Sequence, residues 1–217
     1  DAFTLTVNKL NQSALSISSG SSVMYGSSYT AETSGGSGTG AVTFALVPGG
    51  TGEATINSAT GMLTITKAGT IKLKALKAED DHYLETSSPT FTLTVHKADQ
   101  ADLFITSSNE MVFEEAYTAS ATGGSGTGGL SYAVVSGGSG AAAINEDTGA
   151  LTVTHAGTIL IKVTRAGDNN WLQKVSEPVE ITVHKAQQAP IAFTSGSSIV
   201  YGQAYTVKAA CGKGTGA

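Results

Sequence analysis

The chain has 217 residues, 40% of them hydrophobic, which is enough for two domains that each bury an apolar core. Only 13% of the residues are charged and the formal net charge is −5, which argues against binding to nucleic acid or to an anionic membrane surface. The single cysteine, Cys211, excludes an internal disulfide, and no apolar run approaches the roughly 20 residues of a membrane-inserted helix.

The chain opens on FTLTVNK at residues 3–9, where threonine alternates with apolar residues. Such a period of two is typical of a strand with one buried face. The same alternation recurs in AVTFALV (41–47), MLTIT (62–66), GTIKLKA (69–75) and TFTLTVH (90–96). We expect Phe44 and Leu46 to be buried from one of these strands, and Ile71, Leu73 and Ala75 from another. No segment has the apolar stripe of an amphipathic helix, so the pattern predicts an all-β protein with about seven strands in each 90 residues.

The chain repeats itself with a period of 88 residues. FTLTVNK at 3–9 returns as FTLTVHK at 91–97, and residues 12–97 align with residues 100–185 without a gap. We predict that residues 1–9 are the last strand of a preceding repeat, and that residues 10–97 and 98–185 are two complete repeats. Residues 186–217 are then the start of a third, truncated repeat. Both termini are accordingly expected to be cut ends of a longer chain.

A glycine-rich stretch lies at the same place in each period. GGSGTG occurs at 35–40 and again at 123–128, and CGKGTG follows at 211–216. A phosphate-binding loop needs a helix after its glycines, whereas a strand pattern follows here, and a flexible linker would not recur inside each repeat. We predict a structural turn between two strands, with positive φ at more than one glycine. Its residues are Gly35, Gly36, Gly38, Gly40, Gly123, Gly124, Gly126 and Gly128.

Each repeat is predicted to run almost directly into the next. The boundary sequences KADQA (97–101) and KAQQAP (185–190) are short and lack glycine, so they bend less than a Gly/Ser linker. The predicted inter-domain junction consists of Lys97, Asp99, Gln100, Lys185, Gln187 and Gln188.

Three stretches carry a resemblance to a known family. ATGMLTITKAGTIKLKALKAEDDHYLE (59–85), DTGALTVTHAGTILIKVTRAGDNNWLQ (147–173) and TVHKADQ (94–100) resemble bacterial immunoglobulin-like repeats, which occur in tandem in large surface and secreted proteins. The resemblance covers essentially the whole chain. It implies tandem immunoglobulin-like β-sandwich domains, an extracellular or bacterial cell-surface location, and a stalk or adhesin array. It does not imply a ligand, because such repeats usually space or support another domain.

No arrangement of residues indicates catalysis, and we expect the protein not to be an enzyme. No serine lies in a G-x-S-x-G turn, and no HxxxH or CxxC spacing indicates a zinc site. Cys211 replaces a glycine of the other two copies, which favours an ordinary thiol. Lys9, Lys97 and Lys185 lie at the boundaries, which gives no support for an isopeptide crosslink. The four histidines are expected at the surface: His82, His96, His155 and His184.

Two acidic stretches contain side chains of the kind that bind calcium. AEDDHY (78–83) and its counterpart AGDNNW (166–171) offer oxygen ligands that suit calcium, but neither has the alternating D-x-D-x-D spacing. Turns closed by aspartate side chains explain both stretches better. We therefore expect no cofactor, with calcium as the weaker alternative.

The sequence favours a structural role: a spacer or stalk that projects a distal functional domain, with the neighbouring repeats of the same chain as its partners. Two alternatives stay open. In the first, loops at one end of a sandwich bind a glycan or a host or matrix protein, and Trp171 is the residue that hints at this. In the second, the incomplete ends pair with neighbouring chains by strand addition and form an extracellular fibre.

Overall fold

A computed structural model provides the structure of the protein, and it describes residues 2–210. Within these residues the fold is all-β, with 22 strands and no helix. It divides into two compact units. Unit 1 comprises the residues up to Phe104 together with Thr122–Ser131 and Val163–Ser176. Unit 2 comprises Ile105–Ala121, Tyr132–Lys162 and the residues from Glu177 onward.

The strands follow the 88-residue period in both position and length. The first ten are β1 (Leu15–Ile17), β2 (Ser22–Met24), β3 (Tyr29–Thr30), β4 (Thr33–Gly35), β5 (Val42–Val47), β6 (Glu53–Ile56), β7 (Met62–Lys67), β8 (Gly69–Lys77), β9 (Thr86–Ser87) and β10 (Phe91–His96). The next ten, each 88 residues further on, are β11 (Leu103–Ile105), β12 (Glu110–Val112), β13 (Tyr117–Thr118), β14 (Ala121–Gly123), β15 (Leu130–Val135), β16 (Ala141–Ile144), β17 (Ala150–His155), β18 (Gly157–Arg165), β19 (Lys174–Val175) and β20 (Val179–His184). Two more strands, β21 (Ala192–Phe193) and β22 (Ala209–Ala210), pair with each other at the places where the period puts counterparts of β1 and β4.

The first ten strands form two main sheets and a short ribbon. One sheet has the order β2-β10-β8-β5, with β9 also paired to β8, and the other has the order β3-β7-β6, while β1 pairs with β4. Every ladder is antiparallel except that between β2 and β10. Strands β11–β20 repeat these orders. The sequence predicts about seven strands in each repeat. The structure has ten, because residues 22–35 form three short strands, β2, β3 and β4, and Thr86–Ser87 adds the two-residue strand β9.

The core of the first repeat lies between the two main sheets, the arrangement of an immunoglobulin-like sandwich. The residues at its centre are Leu15, Tyr29, Ala31, Phe44, Leu63, Ile71, Leu73, Ala75, Leu93 and Val95. Three of them alternate along β8, as the period-two pattern predicts, and each buried leucine contributes about 1.5–3 kcal/mol to folding. The prediction for Leu46 is wrong, since its side chain is 37% exposed. Leu46 lies on β5, an edge strand with a neighbour on one side only.

The structure corrects the strand predicted at the start of the chain. Residues 2–9 form no strand, and the apolar side chains of Phe3, Leu5 and Val7 are 89%, 74% and 84% exposed, because no sheet covers them. The boundaries of the repeats, including the assignment of residues 1–9 to a preceding repeat, stay predictions. Cys211 and the third glycine stretch at 211–216 lie outside the described residues. No helix within residues 2–210 is long and apolar enough to cross a membrane.

Candidate functional site in unit 1

The glycine turn of the second repeat, residues 123–128, lies in unit 1 and connects β14 to β15, which belong to different sheets. Gly123 and Gly124 have φ of 97° and 72°, a region that residues with a side chain rarely adopt. A Cβ on Gly128 would clash with the carbonyl oxygen of Ala166. In the first repeat, positive φ occurs at Gly35, Gly36 and Gly38.

A buried glutamine braces this turn. Gln100 is only 4% exposed, and its Oε1 accepts hydrogen bonds from the N–H groups of Ser125 (3.2 Å) and Gly126 (3.1 Å). Its Nε2 donates to the carbonyls of Leu172 (2.7 Å) and Ala166 (3.2 Å), so all four hydrogen-bonding positions of the amide are used. Gln100 belongs to the junction predicted from the sequence, and these contacts fix two loops of unit 1 to each other.

Gln12 has the corresponding place in the first repeat. Its Oε1 accepts from the N–H of Ser37 (3.1 Å), and its Nε2 donates to the carbonyls of Leu84 (2.8 Å) and Ala78 (3.0 Å). The brace therefore recurs with the period.

Asp168 holds the glycine turn from the other side and also closes a turn of its own. Its Oδ2 accepts from the backbone N–H (2.7 Å) and the hydroxyl (3.1 Å) of Thr127. Its Oδ1 accepts from the N–H groups of Asn170 and Trp171, both at 2.9 Å. We call residues 168–171 the Asp168 turn. The N–H of Thr127, followed by that of Asn170, lowers the pKa of Asp168 to about 2, because these donors favour the carboxylate.

Asp80 repeats this arrangement in the first repeat. Its Oδ2 accepts from the N–H of Thr39 (2.6 Å), and its Oδ1 accepts from the N–H groups of His82 and Tyr83, both at 2.9 Å. The N–H of His82, followed by that of Thr39, lowers the pKa of Asp80 to about 2.

A positively charged side chain donates a hydrogen bond to a carbonyl group of each glycine turn. Arg165 Nη1 donates to the carbonyl of Gly128 (3.1 Å), and Lys77 Nζ donates to the carbonyl of Gly40 (3.1 Å). Backbone N–H groups in the turn around residues 125–127 are already bound by Gln100 and Asp168. A phosphate would have to displace these internal partners, so the geometry favours a structural turn.

The Asp168 turn makes a second set of contacts within unit 1, to residues between 71 and 104 positions earlier in the chain. Asn170 Oδ1 accepts from the N–H of Ala68 (2.9 Å), and its Nδ2 donates to the carbonyl of Thr66 (3.0 Å). Lys97 Nζ donates to the carbonyl of Asp168. One side-chain amide thus binds the carbonyl of Thr66 near the end of β7 and the N–H of Ala68, the residue that connects β7 to β8.

The turn is also tied to the chain that follows β10. Ala98 donates its N–H to the carbonyl of Asn170 (3.0 Å), and Leu172 donates its N–H to the carbonyl of Ala98 (2.9 Å). The ring of Trp171 packs against that of Tyr25. Four residues receive the Asp168 turn: Tyr25, Thr66, Ala68 and Lys97. We call them the acceptor surface of unit 1, a name that refers to docking of the turn and not to hydrogen-bond acceptors.

The junction residues predicted from sequence have different surroundings. Lys97 belongs to the acceptor surface and Gln100 to the brace, whereas Asp99 is exposed. Lys185, Gln187 and Gln188 line a cavity in unit 2.

Sequence reasoning missed Asn170 and its partners Thr66 and Ala68. The available signals are AGTI, which recurs at 68–71 and 156–159, and the change from DDHY to DNNW between the repeats. Trp171, the residue that favours a ligand-binding loop in the sequence, is half-buried against Tyr25.

Within residues 2–210, no group of three or more His, Cys, Asp or Glu side chains is placed to hold a metal ion.

No protein-family model matches the chain, and no curated protein matches it either. Among solved structures, the chain is similar to the EC1-4 segment of Drosophila N-cadherin, with 11% sequence identity and a TM-score of 0.33. The match covers 86% of this chain and 54% of that chain, so the protein spans about half the length of the cadherin segment. A similarity of this size assigns the chain to no family.

Proposed function

We propose that the protein is a spacer of tandem immunoglobulin-like domains, which projects a functional domain of a larger bacterial surface or secreted protein away from its anchor. The observation that carries the proposal is the pair of hydrogen bonds between the Asn170 side chain and the backbone of Thr66 and Ala68, which join the second repeat to the first. The chain between β10 and β11 supports it, because this connection has only six residues, 97–102, and no glycine. A spacer needs such restraints, since free hinges between domains would shorten its reach.

The chemistry of the loops supports the same role. The polar groups of the glycine turn are bound by Gln100, Asp168 and Arg165, so they are committed to holding loops together. We propose neither an enzymatic activity nor a cofactor, and the resemblance to bacterial immunoglobulin-like repeats supports an extracellular location.

The restraint can be tested with paired spin labels. Ser58→Cys and Ser136→Cys introduce exposed labelling sites, and Cys211→Ser removes the native thiol. We expect a narrow distance distribution in this background and a broader one after Asn170→Ala, which removes both hydrogen bonds. Asn169→Ala is the matched control, because the Asn169 side chain is exposed and makes no hydrogen bond among the described residues. Equal distributions for both variants would remove the main support for a restrained spacer.

The reach can be tested by small-angle scattering on the 217-residue chain. A spacer is expected to give an elongated particle. A compact profile, with the two complete repeats folded back on each other, would contradict the proposal.

A second candidate function is fibre formation by strand addition, and the exposed side chains of Phe3, Leu5 and Val7 favour it. Residues 3–9 have nearly the sequence of residues 91–97, which include β10, a strand paired with β8 in the same chain. Such a segment has the right pattern to add to a sheet of a second chain. Sedimentation of the chain with and without residues 1–9 tests it, and monomers at every concentration would exclude it.

A further inference from the structure

Unit 2 contains a cavity of about 550 Å³ with a mainly apolar lining. It is lined by Phe113, Glu114, Thr154, His155, Ala156 and residues 185–189.

Its lining residues are the counterparts of the acceptor surface of unit 1. Phe113, Thr154, Ala156 and Lys185 lie 88 residues after Tyr25, Thr66, Ala68 and Lys97. Each residue of the acceptor surface thus has an equivalent here, and the aromatic ring, the small residue and the cation are all retained.

The backbone is also equivalent in the acceptor surface of unit 1 and in the cavity lining of unit 2. β7 and β17 end at Lys67 and His155, and β8 and β18 begin at Gly69 and Gly157, whose φ values are 135° and 138°. The one-residue connections therefore present their polar groups in the same way.

The acceptor surface in unit 1 and the cavity in unit 2 differ in whether their polar groups and aromatic rings have partners. The N–H of Ala68 donates to Asn170, whereas the N–H of Ala156 has no hydrogen-bond acceptor among the described residues. Phe113 likewise has no ring partner within residues 2–210, while its counterpart Tyr25 packs against Trp171.

We propose that this cavity is the docking site for an Asp-x-Asn-Trp turn carried by a further immunoglobulin-like repeat that continues from residue 186. The asparagine amide binds the N–H of Ala156 and the carbonyl of Thr154, the tryptophan packs against Phe113, and Lys185 binds a carbonyl of the turn. β21 and β22 already supply the first strand pair of that repeat. The inference rests on the proposed spacer function, because it requires an array that is longer than two repeats.

The experiment completes the third repeat in register by adding a copy of residues 130–185 after Ala217. Amide hydrogen exchange of Ala156 is measured by NMR in the 217-residue chain and in the extended chain. We expect exchange to slow at least tenfold on extension. Within the added copy, the Asn170→Ala change should restore fast exchange, and the Asn169→Ala change should leave it slow.

A peptide measurement covers the case in which the added repeat fails to fold. The peptide AGDNNWLQ, residues 166–173, is titrated to millimolar concentration into the 217-residue chain, and the amide resonance of Ala156 is expected to shift. An unchanged Ala156 in both the extended chain and the titration would overturn the inference.

The spin-label experiment separates this inference from the proposed function. A narrow distribution between residues 58 and 136, together with an unaffected Ala156, leaves the spacer standing and removes only the docking site.

Discussion

The ring of Trp171 meets the ring of Tyr25 edge to face, with centroids 5.6 Å apart and planes at 81°. Aromatic pairs prefer this geometry, which contributes about 0.5–1.5 kcal/mol beyond the burial of area. Trp171 is the one tryptophan of the chain, so its fluorescence reports directly on this contact.

Replacing Tyr25 should expose the indole of Trp171 to water. We expect Tyr25→Ala to shift the emission of Trp171 to longer wavelength and to lower the free energy of unfolding by about 1–3 kcal/mol. Phe113→Ala is the matched control, because Phe113 has the same place in the second repeat and no ring partner among the described residues. It should leave the emission maximum in place. If Tyr25→Ala also leaves the maximum in place, the ring contact is absent in solution.

Removing the side chain of Gln100 should leave the N–H groups of Ser125 and Gly126 without their acceptor in a part-buried place. We expect Gln100→Ala to cost about 2–4 kcal/mol in urea unfolding, since four hydrogen bonds of a buried side chain are lost together. Gln188→Ala alters the exposed counterpart 88 residues later and should cost less than about 0.5 kcal/mol. Equal losses for the two variants would contradict the role of Gln100 as a brace.

A side chain at Gly38 should destabilise the first repeat. Gly38 has φ of 74°, and a Cβ there would clash with the carboxylate of Asp80, which binds the N–H of Thr39. We expect Gly38→Val to cost about 1–3 kcal/mol for the backbone conformation alone, measured by thermal melting. Gly20→Val is the comparison, because Gly20 lacks a positive φ and nothing lies within 4 Å of its would-be Cβ. An unchanged Tm for Gly38→Val would show that the turn can rearrange.

The protein should lose stability in acid through its two turn-forming aspartates. The pKa of Asp80 is lowered from 3.8 to about 2 in the folded protein, and that of Asp168 equally. A lowered pKa stabilises the fold above pH 3.8, and this contribution disappears as the pH falls from about 4 towards 2. We expect Asp80→Asn to lower the Tm at pH 6 and to reduce the drop in Tm between pH 6 and pH 2.5.

The control for this pH series is Asp81→Asn. Asp81 neighbours Asp80 but makes no hydrogen bond among the described residues, so its variant should keep the pH dependence of the parent chain. A steep acid transition that survives Asp80→Asn and Asp168→Asn together would assign the pH dependence to other groups.

Chelation of divalent cations should leave the stability unchanged. Both carboxylate oxygens of Asp168 already accept hydrogen bonds from the chain, and binding calcium there would require their displacement. We expect the same Tm in EDTA and in millimolar calcium chloride. A rise of several degrees in calcium would show that a carboxylate cluster binds the ion.

Local patterns made much of the fold predictable from the sequence. The alternation around Leu73 and Leu93 predicts buried faces because it depends only on neighbouring residues, and both side chains are fully buried. The glycine turn is predictable because it recurs with the period. The alternating pattern does not predict the exposure of Leu46, because that exposure depends on the position of β5 at the edge of the sheet.

The candidate site was harder to predict because its contacts connect distant parts of the chain. Asn170 binds residues more than 100 positions away, and the corresponding residue of the first repeat is His82. Gln100 is polar and lies beside a charged boundary, so composition favours an exposed side chain. Its burial follows from partners in two other segments, which no local pattern reveals.

The exact spacing of twenty strands has a consequence for how the length of such a protein can vary. A chain that gains or loses one whole period keeps every β ladder, every aspartate turn and every acceptor surface in register. An insertion of any other length within a strand would shift the register of its ladder. The length of the chain can therefore change in equal steps of 88 residues, each using contacts that the chain already contains.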